Sequence, residues 1–449
     1  MVEDPGEFLK GSTETWQLLV HVCRRWRCLI FGSPRRLNLR LLCTPQTPGN
    51  KLDIWPALPL LIQGKISQSV VGNTLAILKR HNRVSTIDLT CFGTTRDVEK
   101  VWTALRIRFP ELTVLRLWSG GFNVPLIPDS FLGRSAPRLR QLILHRLAFP
   151  GLPKLLLSAT HLTKIYLWDI TPARYISPEM MVTCLSTLTS LKSLYLGFAL
   201  RSHSDRESLH PPLPTRSILP ALTRIQFKGT GDYLGNLVAR IDTPQLKVLS
   251  ISLINGIDPG VPQLAQFISR TPIFKTINEA CVGFCGNAVR LTLSVRLAIS
   301  SPTFGFEELK IQFSCEESNQ QLSTLARIWT SFSPLFFMLD SFFIHEVECL
   351  RLRWQDNIEH IQWLEILRPF ISVQSLYVSR EFAPSISTAL QELVRERTSE
   401  VLPALQYLFL EGLRQSQSVQ ASIGLFVAAR QLVSHPIAVS LWIKDTDID

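Results

Sequence analysis

The chain has 449 residues, 46% of them hydrophobic and 18% charged, which excludes a disordered or collagen-like protein and supplies a large core without disulfides. The formal net charge is +11, an excess that favours an acidic partner, nucleic acid or an anionic surface. No long Lys/Arg block concentrates that charge; the densest cluster is Arg24, Arg25, Arg27, Arg35, Arg36 and Arg40, so nucleic-acid binding is the weaker reading.

Residues 1–10 are acidic and polar, unlike a secretory signal. Over residues 16–30, Leu19, Val22, Cys23, Trp26, Leu29 and Ile30 recur at three- and four-residue spacing. That spacing predicts a helix with one apolar face and the arginines on the other. Gly32-Ser33-Pro34 ends it.

A triplet then recurs, of the form apolar-x-x-apolar-x-apolar, often just after a proline. Its copies are Val84-Ile87-Leu89, Leu112-Leu115-Leu117, Leu139-Leu142-Leu144, Leu162-Ile165-Leu167, Leu191-Leu194-Leu196, Leu222-Ile225-Phe227 and Leu246-Leu249-Ile251. Their starts lie 28, 27, 23, 29, 31 and 24 residues apart, which brackets the length of a leucine-rich repeat. Phe306-Leu309-Ile311, Val347-Leu350-Leu352, Val373-Leu376-Val378 and Leu405-Leu408-Leu410 extend the series, and Val289-Leu291-Leu293 is an irregular member. The closing apolar-x-apolar pair has period two, so it predicts a short strand with both side chains on one face. One such strand cannot bury its face alone; stacked neighbours form a parallel sheet over a shared core. Return segments with helical spacing are expected at residues 98–109, 178–188, 262–269 and 388–394, with proline resetting the chain before the next strand. Residues 201–217 are polar and proline-rich and predict an exposed, mobile insertion loop. Residues 437–443 offer a last capping strand. The apolar stretch 334–344 is interrupted by Asp340 and too short to span a bilayer, so an intracellular protein is expected.

The expected fold is therefore α/β: a leucine-rich-repeat solenoid, with a curved parallel sheet and helices on its convex side. Val22-Cys23-Arg24-Arg25-Trp26-Arg27 resembles the last helix of an F-box. Ser33-Pro34-Arg35-Arg36-Leu37, Leu58-Pro59-Leu60, Pro110-Glu111-Leu112-Thr113, Pro128-Asp129-Ser130-Phe131, Ser135-Ala136-Pro137-Arg138-Leu139, Ile176-Ser177-Pro178-Glu179 and Phe267-Ile268-Ser269-Arg270-Thr271-Pro272 are similar to phrases of the F-box and leucine-rich-repeat family of mushroom-forming fungi. The likeness runs from about Leu19 to Pro272. It implies an F-box-like helical segment over residues 1–45 and a repeat array over 46–449, with an insertion loop at 200–217. It further implies a substrate-recognition subunit of a Skp–cullin–F-box ubiquitin ligase, cytoplasmic or nuclear, whose Skp-type adaptor docks on Leu19, Val22, Cys23, Trp26 and Leu29. The Leu-Pro-x-Glu stretch that opens an F-box does not occur in residues 2–14, and the alternative is that Leu19, Val22 and Trp26 cap the first repeat.

In such an array the residues between the strand leucines point to the concave face, the default binding surface. They include Arg116, Trp118, His145, Tyr166, Trp168, Tyr195, Gln226 and Lys228, and further along Arg351, Arg353, Tyr377 and Phe409. Trp, Tyr and Arg are favoured at protein interfaces, so an unidentified protein substrate is the expected ligand, with a Trp118–Trp168 patch beside Arg116 at its centre. The competing reading is that these rings pack against one another along the sheet. No catalytic motif stands out. Gly120-Gly121 is followed by no Lys-Ser/Thr pair, there is no G-x-S-x-G elbow, and His145 and His161 have no carboxylate or nucleophile at a motif spacing. Of nine cysteines most sit in apolar runs, no CxxC occurs, and Cys281 and Cys285 lack a histidine near them, so neither a metal nor a cofactor is expected. A repeat scaffold without ligase function and a basic nucleic-acid binder stay open as alternatives.

Overall fold

Many of the apolar triplets are delivered by a tight turn. Leu112 donates its N–H to the carbonyl of Phe109, Leu139 to Ala136, Leu222 to Leu219, Leu246 to Thr243 and Leu405 to Leu402. In all five the second turn residue is proline: Pro110, Pro137, Pro220, Pro244 and Pro403. Proline pre-sets the backbone angle that this turn position needs. It therefore aims the chain at the sheet as well as ending the segment before it.

The computed structural model describes residues 22–32, 40–47, 52, 57–67, 69–92, 95–120, 126–170, 176–198, 216–254, 261–276, 279–285, 288–294, 308–314, 349–354, 363, 367, 370–379, 382–396, 401–411 and 417–442. They fall into two units, residues 1–207 and 208–449. Leu19 and the expected loop and apolar stretch over 201–215 and 334–344 lie outside the described residues.

The first unit runs α1 (Arg24–Gly32), β1 (Leu41–Cys43), β2 (Leu60–Ile66), α2 (Val71–Leu78), β3 (Val84–Cys91), α3 (Thr95–Ala104), β4 (Val114–Ser119), β5 (Gln141–His145), α4 (Leu152–Ser158), β6 (Lys164–Ile170), α5 (Pro178–Ser186) and β7 (Ser193–Phe198). Every strand pairs in parallel with the next. Ile87, Leu115, Leu142, Ile165 and Leu194 share one register position, and Leu89, Leu117, Leu144, Leu167 and Leu196 another. All ten are buried. The core they form is closed by α2, which buries Val71, Ile77 and Leu78, and by α4 and α5, which bury Leu155, Leu156, Met181 and Leu185. Helix α5 begins at Pro178, and the Ser177 hydroxyl accepts the Met180 N–H at 3.3 Å, a serine cap worth about 1 kcal/mol.

The residue after the first apolar position extends the ladder outward from each strand. The Thr113 carbonyl accepts the N–H groups of Arg140 and Gln141, that of Arg140 accepts Thr163 and Lys164, and that of Thr163 accepts Lys192 and Ser193. The Thr113 and Thr163 hydroxyls donate back to the Ser85 and Arg140 carbonyls, each at 3.0 Å. Repeat length can vary because only this short segment has to match its neighbour.

The second unit runs β8 (Ser217–Ile218), β9 (Arg224–Gly229), α6 (Gly231–Val238), β10 (Ile241–Asp242), β11 (Val248–Ile254), α7 (Val261–Arg270), β12 (Glu279–Cys285), β13 (Ala288–Ser294), β14 (Glu308–Ser314), β15 (Cys349–Trp354), β16 (Ser375–Val378), α8 (Ala383–Glu396), β17 (Tyr407–Glu411), α9 (Gln417–Leu432) and β18 (Ala438–Trp442). Its sheet order is β9-β11-β14-β13-β12-β15-β16-β17-β18, and β8 pairs separately with β10. Two arginines, the partly exposed Arg270 and the buried Arg430, reach back to backbone carbonyls of earlier segments. Arg270 donates to the Val238 and Ile241 carbonyls, and Arg430 to those of Leu402, Pro403 and Leu405.

Several expectations need correction. The segment 1–45, expected to be helical, contains β1, so the sheet starts before residue 46. The insertion expected up to residue 217 ends earlier, because Ser217 belongs to β8. Val289-Leu291-Leu293 is no parallel repeat: β13 is antiparallel to both β12 and β14. Two residues separate β12 from β13. A hairpin fits that length, whereas a parallel crossover needs a dozen residues or more. Strands β1 and β2 were not anticipated, nor were helices α2, α4, α6 and α9. Among the described residues no helix is long and apolar enough to cross a membrane.

Candidate functional site

In a parallel ladder, side chains at one register position stand side by side at the strand spacing of about 4.8 Å. On the outward face of the first unit this creates two rows. One runs Asp88, Arg116, Ile143, Tyr166, Tyr195; the other runs Thr90, Trp118, His145, Trp168. The six residues singled out from sequence in this unit, Arg116, Trp118, His145, Tyr166, Trp168 and Tyr195, therefore form one surface, each partly exposed.

The rings follow the ladder. Trp118 and His145 stack with centroids 4.9 Å apart, Tyr166 and Trp168 lie 5.7 Å apart, and Tyr166 and Tyr195 lie 5.4 Å apart. Trp118 and Trp168 do not stack directly; His145 holds the register position between them. Aromatic pairs of this kind contribute about 0.5–1.5 kcal/mol beyond their buried area. The rings thus pack along the sheet and still present a face to solvent, so packing and exposure are not exclusive.

Glycine makes room for Trp168 and for a further ring, Phe92. A Cβ on Gly197 would lie 2.5 Å from the Trp168 indole, and one on Gly120 would collide with Phe92. Phe92 is exposed and carries the Lys65 ammonium 5.2 Å from its centroid; Lys164 stands likewise 5.4 Å over Tyr195.

The acidic groups on this face are matched by arginines. Arg116 Nη1 lies 3.5 Å from Asp88 Oδ2, and its Nη2 donates to Gln141 Oε1 at 3.3 Å. Burial pushes the Asp88 carboxyl above its ordinary range, and the Arg116 guanidinium opposes the shift. Arg146 Nε donates to Asp169 Oδ2 at 2.5 Å at the rim. His145 Nδ1 is buried without a hydrogen-bond partner. Burial lowers the His145 pKa, with Asp169 opposing and Arg146 adding to the shift. Burial likewise raises the Tyr166 phenol, helped by Tyr195 and Asp169.

Beside Phe92 the sheet edge opens into a cleft of about 470 Å³, lined by Thr44, Pro45, Gln63, Gly64, Lys65 and Phe92 among others. Gly64, at φ 151°, lets the Pro45 ring close over the strand where a Cβ would collide with it. Sequence reading missed Lys65, Phe92 and this cleft because β2 carries no triplet. The available signal was the pairing of an aromatic on one strand with a glycine on the next.

Lys228 lies in the second unit on β9, partly exposed with Gln226 on the same face. In that unit Tyr377 stacks on Phe409 at 4.3 Å and 8°. Arg351 takes the register position beside Tyr377, and Arg353 that beside Gly283.

The N-terminal candidates lie on and just before α1. The helix begins at Arg24 in the described residues, so Val22 and Cys23 precede it. The Cys23 carbonyl accepts the Arg27 N–H, and its sulfur accepts that of Trp26 at 3.5 Å. Val22, Trp26 and Leu29 are 64%, 47% and 62% exposed. Those values do not fit a cap buried against the first repeat. Comparison with protein-family models and with curated protein sequences finds no match for this chain.

Proposed function

We propose that this chain is a substrate-recognition subunit of a Skp–cullin–F-box ubiquitin ligase, acting in the cytoplasm or nucleus. In this reading the strands and their return segments are leucine-rich repeats. The aromatic outward face holds the protein to be modified, and α1 contacts a Skp-type adaptor. The chain performs no chemistry itself; the other ligase subunits transfer ubiquitin.

The observation that carries the reading is the open apolar surface of Val22, Trp26 and Leu29. Trp26 and Leu29 lie on, and Val22 just before, a helix whose sequence resembles the final F-box helix. Val22, Trp26 and Leu29 follow the spacing of one helix face, and exposed apolar side chains on one face suit a contact surface. Co-purification with a Skp-type adaptor tests it. The wild-type chain is expected to retain the adaptor, as is Trp118→Ala. Trp26→Asp combined with Leu29→Asp is expected to lose it. A wild-type chain that retains no adaptor refutes the ligase role.

A second reading is a repeat scaffold without ligase function: the stacked rings of the outward face can hold a partner without any adaptor. That reading keeps a partner on the outward face but predicts that proteasome inhibition leaves the partner's level unchanged.

A further inference from the structure

The outward face of the first unit is sparsely and unevenly charged. Its strand positions carry Lys65, Arg116 and Lys164 against the carboxylates of Asp88 and, at the rim, Asp169, and each carboxylate is already set against an arginine, Asp88 against Arg116 and Asp169 against Arg146. Each lysine ammonium is held over an aromatic ring, Lys65 over Phe92 and Lys164 over Tyr195. Between them lie Trp118, His145 and Tyr166. The surface therefore has a cation on an aromatic platform at each end and a continuous ring surface in the middle.

The register fixes how far apart the two cations are. Lys65 aligns with Thr90, Trp118, His145 and Trp168 in turn. Lys164 lies on the same strand as Trp168, four positions before it. Four strand spacings across and four residues along the strand place the two Cα atoms about 23 Å apart. An extended chain covers that distance in about seven residues at ~3.3 Å each.

We infer that this face binds an extended acidic segment of the partner protein, with two carboxylates about seven residues apart and apolar side chains between them. The inference rests on the reading of the outward face as a protein-binding surface and names the partner's chemistry. One carboxylate enters the cleft beside Phe92, where Lys65 and Gln63 offer donors and Pro45 and Phe92 form apolar walls. The other meets Lys164. The intervening apolar side chains lie on Trp118 and Tyr166, and such rings gain contact area at little entropic cost. Nucleic acid fits less well. A strand crossing this surface would bring a phosphate every few ångströms against two platform lysines, and it would meet Asp88 near the middle.

The test uses the full chain and three fluorescein-labelled probes. The first is the octapeptide Glu-Ala-Pro-Phe-Ala-Pro-Phe-Glu, whose glutamates are seven residues apart. The second replaces both glutamates with glutamine, and the third is a twelve-residue oligothymidylate. Fluorescence anisotropy at low salt is expected to show the acidic peptide binding at least tenfold tighter than the glutamine peptide. Lys65→Glu, an exposed substitution, is expected to weaken it at least tenfold, and Lys164→Glu similarly. Equal binding of the two peptides overturns the inference, as does indifference to Lys65→Glu or tighter binding of the oligothymidylate. If no peptide binds while a photo-reactive phenylalanine analogue at Tyr166 still cross-links a partner protein in cells, and Trp118→Ala with Trp168→Ala abolishes that cross-link, the acidic-segment inference falls and the protein-binding reading stands.

Discussion

Leu142 sits at the centre of the first unit's ladder, fully buried between Leu115 and Ile165. Replacing it with alanine removes three buried carbon groups. At ~0.8 kcal/mol for each the transfer loss is about 2.4 kcal/mol. The cavity left behind adds to this, because parallel strands on both sides and the helices beneath cannot all close in; measured Leu→Ala costs in cores run to about 5 kcal/mol. We therefore expect Leu142→Ala to cost about 3–4 kcal/mol, a rise of several hundredfold in local opening. In a stacked array the cost spreads to nearest neighbours. Hydrogen exchange read by mass spectrometry should show faster exchange in peptides covering β4, β5 and β6. Peptides covering β17 and β18, in the other unit, should be unchanged. The reasoning is refuted if the substitution costs less than about 0.5 kcal/mol, or if protection is lost uniformly along the chain.

Three other outcomes are expected. Burial pushes the Cys91 thiol up to about 12 and those of Cys43 and Cys184 to about 11, whereas Cys23 and Cys28 are exposed; iodoacetamide at pH 8 on the native chain should label the last two and spare the first three, as peptide mapping will show. Because the His145 pKa is lowered on folding, its contribution to stability is fully present above the ordinary histidine value of 6.5 and is lost as pH falls through the lowered value. Urea midpoints at pH 7.5 and 5.5 should therefore differ less for His145→Gln than for the wild type. Gly197→Ala should cost about 1–3 kcal/mol through its collision with Trp168, and in a Trp168→Ala background denaturant unfolding should show the same substitution to be nearly neutral.

Much of the ladder is written in the sequence, since Leu115, Leu142, Ile165 and Leu194 recur at a spacing only a stacked strand explains, and they do share one register position. The outward positions follow from the same period, which is why Trp118, His145, Tyr166 and Tyr195 could be placed on one face. Other parts leave no such trace. Strand β1 is three residues long and its burial depends on β2 alone. Helices α2 and α4 are seven or eight residues long, too short for a helical period to stand out against neighbouring apolar runs. The β12–β13 hairpin has the apolar alternation of a repeat strand, and only its two-residue connection distinguishes it. Lys65 and Phe92 belong to the candidate surface through contact across strands, which residue spacing along one chain does not encode.

In the proposed function the outward sheet face holds the partner and the helical side does not. A photo-reactive phenylalanine analogue placed at Tyr166, and in a second protein at Met180, an exposed position on α5, tests this in cells. A discrete cross-linked protein is expected from position 166, accumulating when Trp26 and Leu29 are replaced by aspartate, and no such product from position 180. Cross-links formed from position 180 and not from position 166 would contradict this reading.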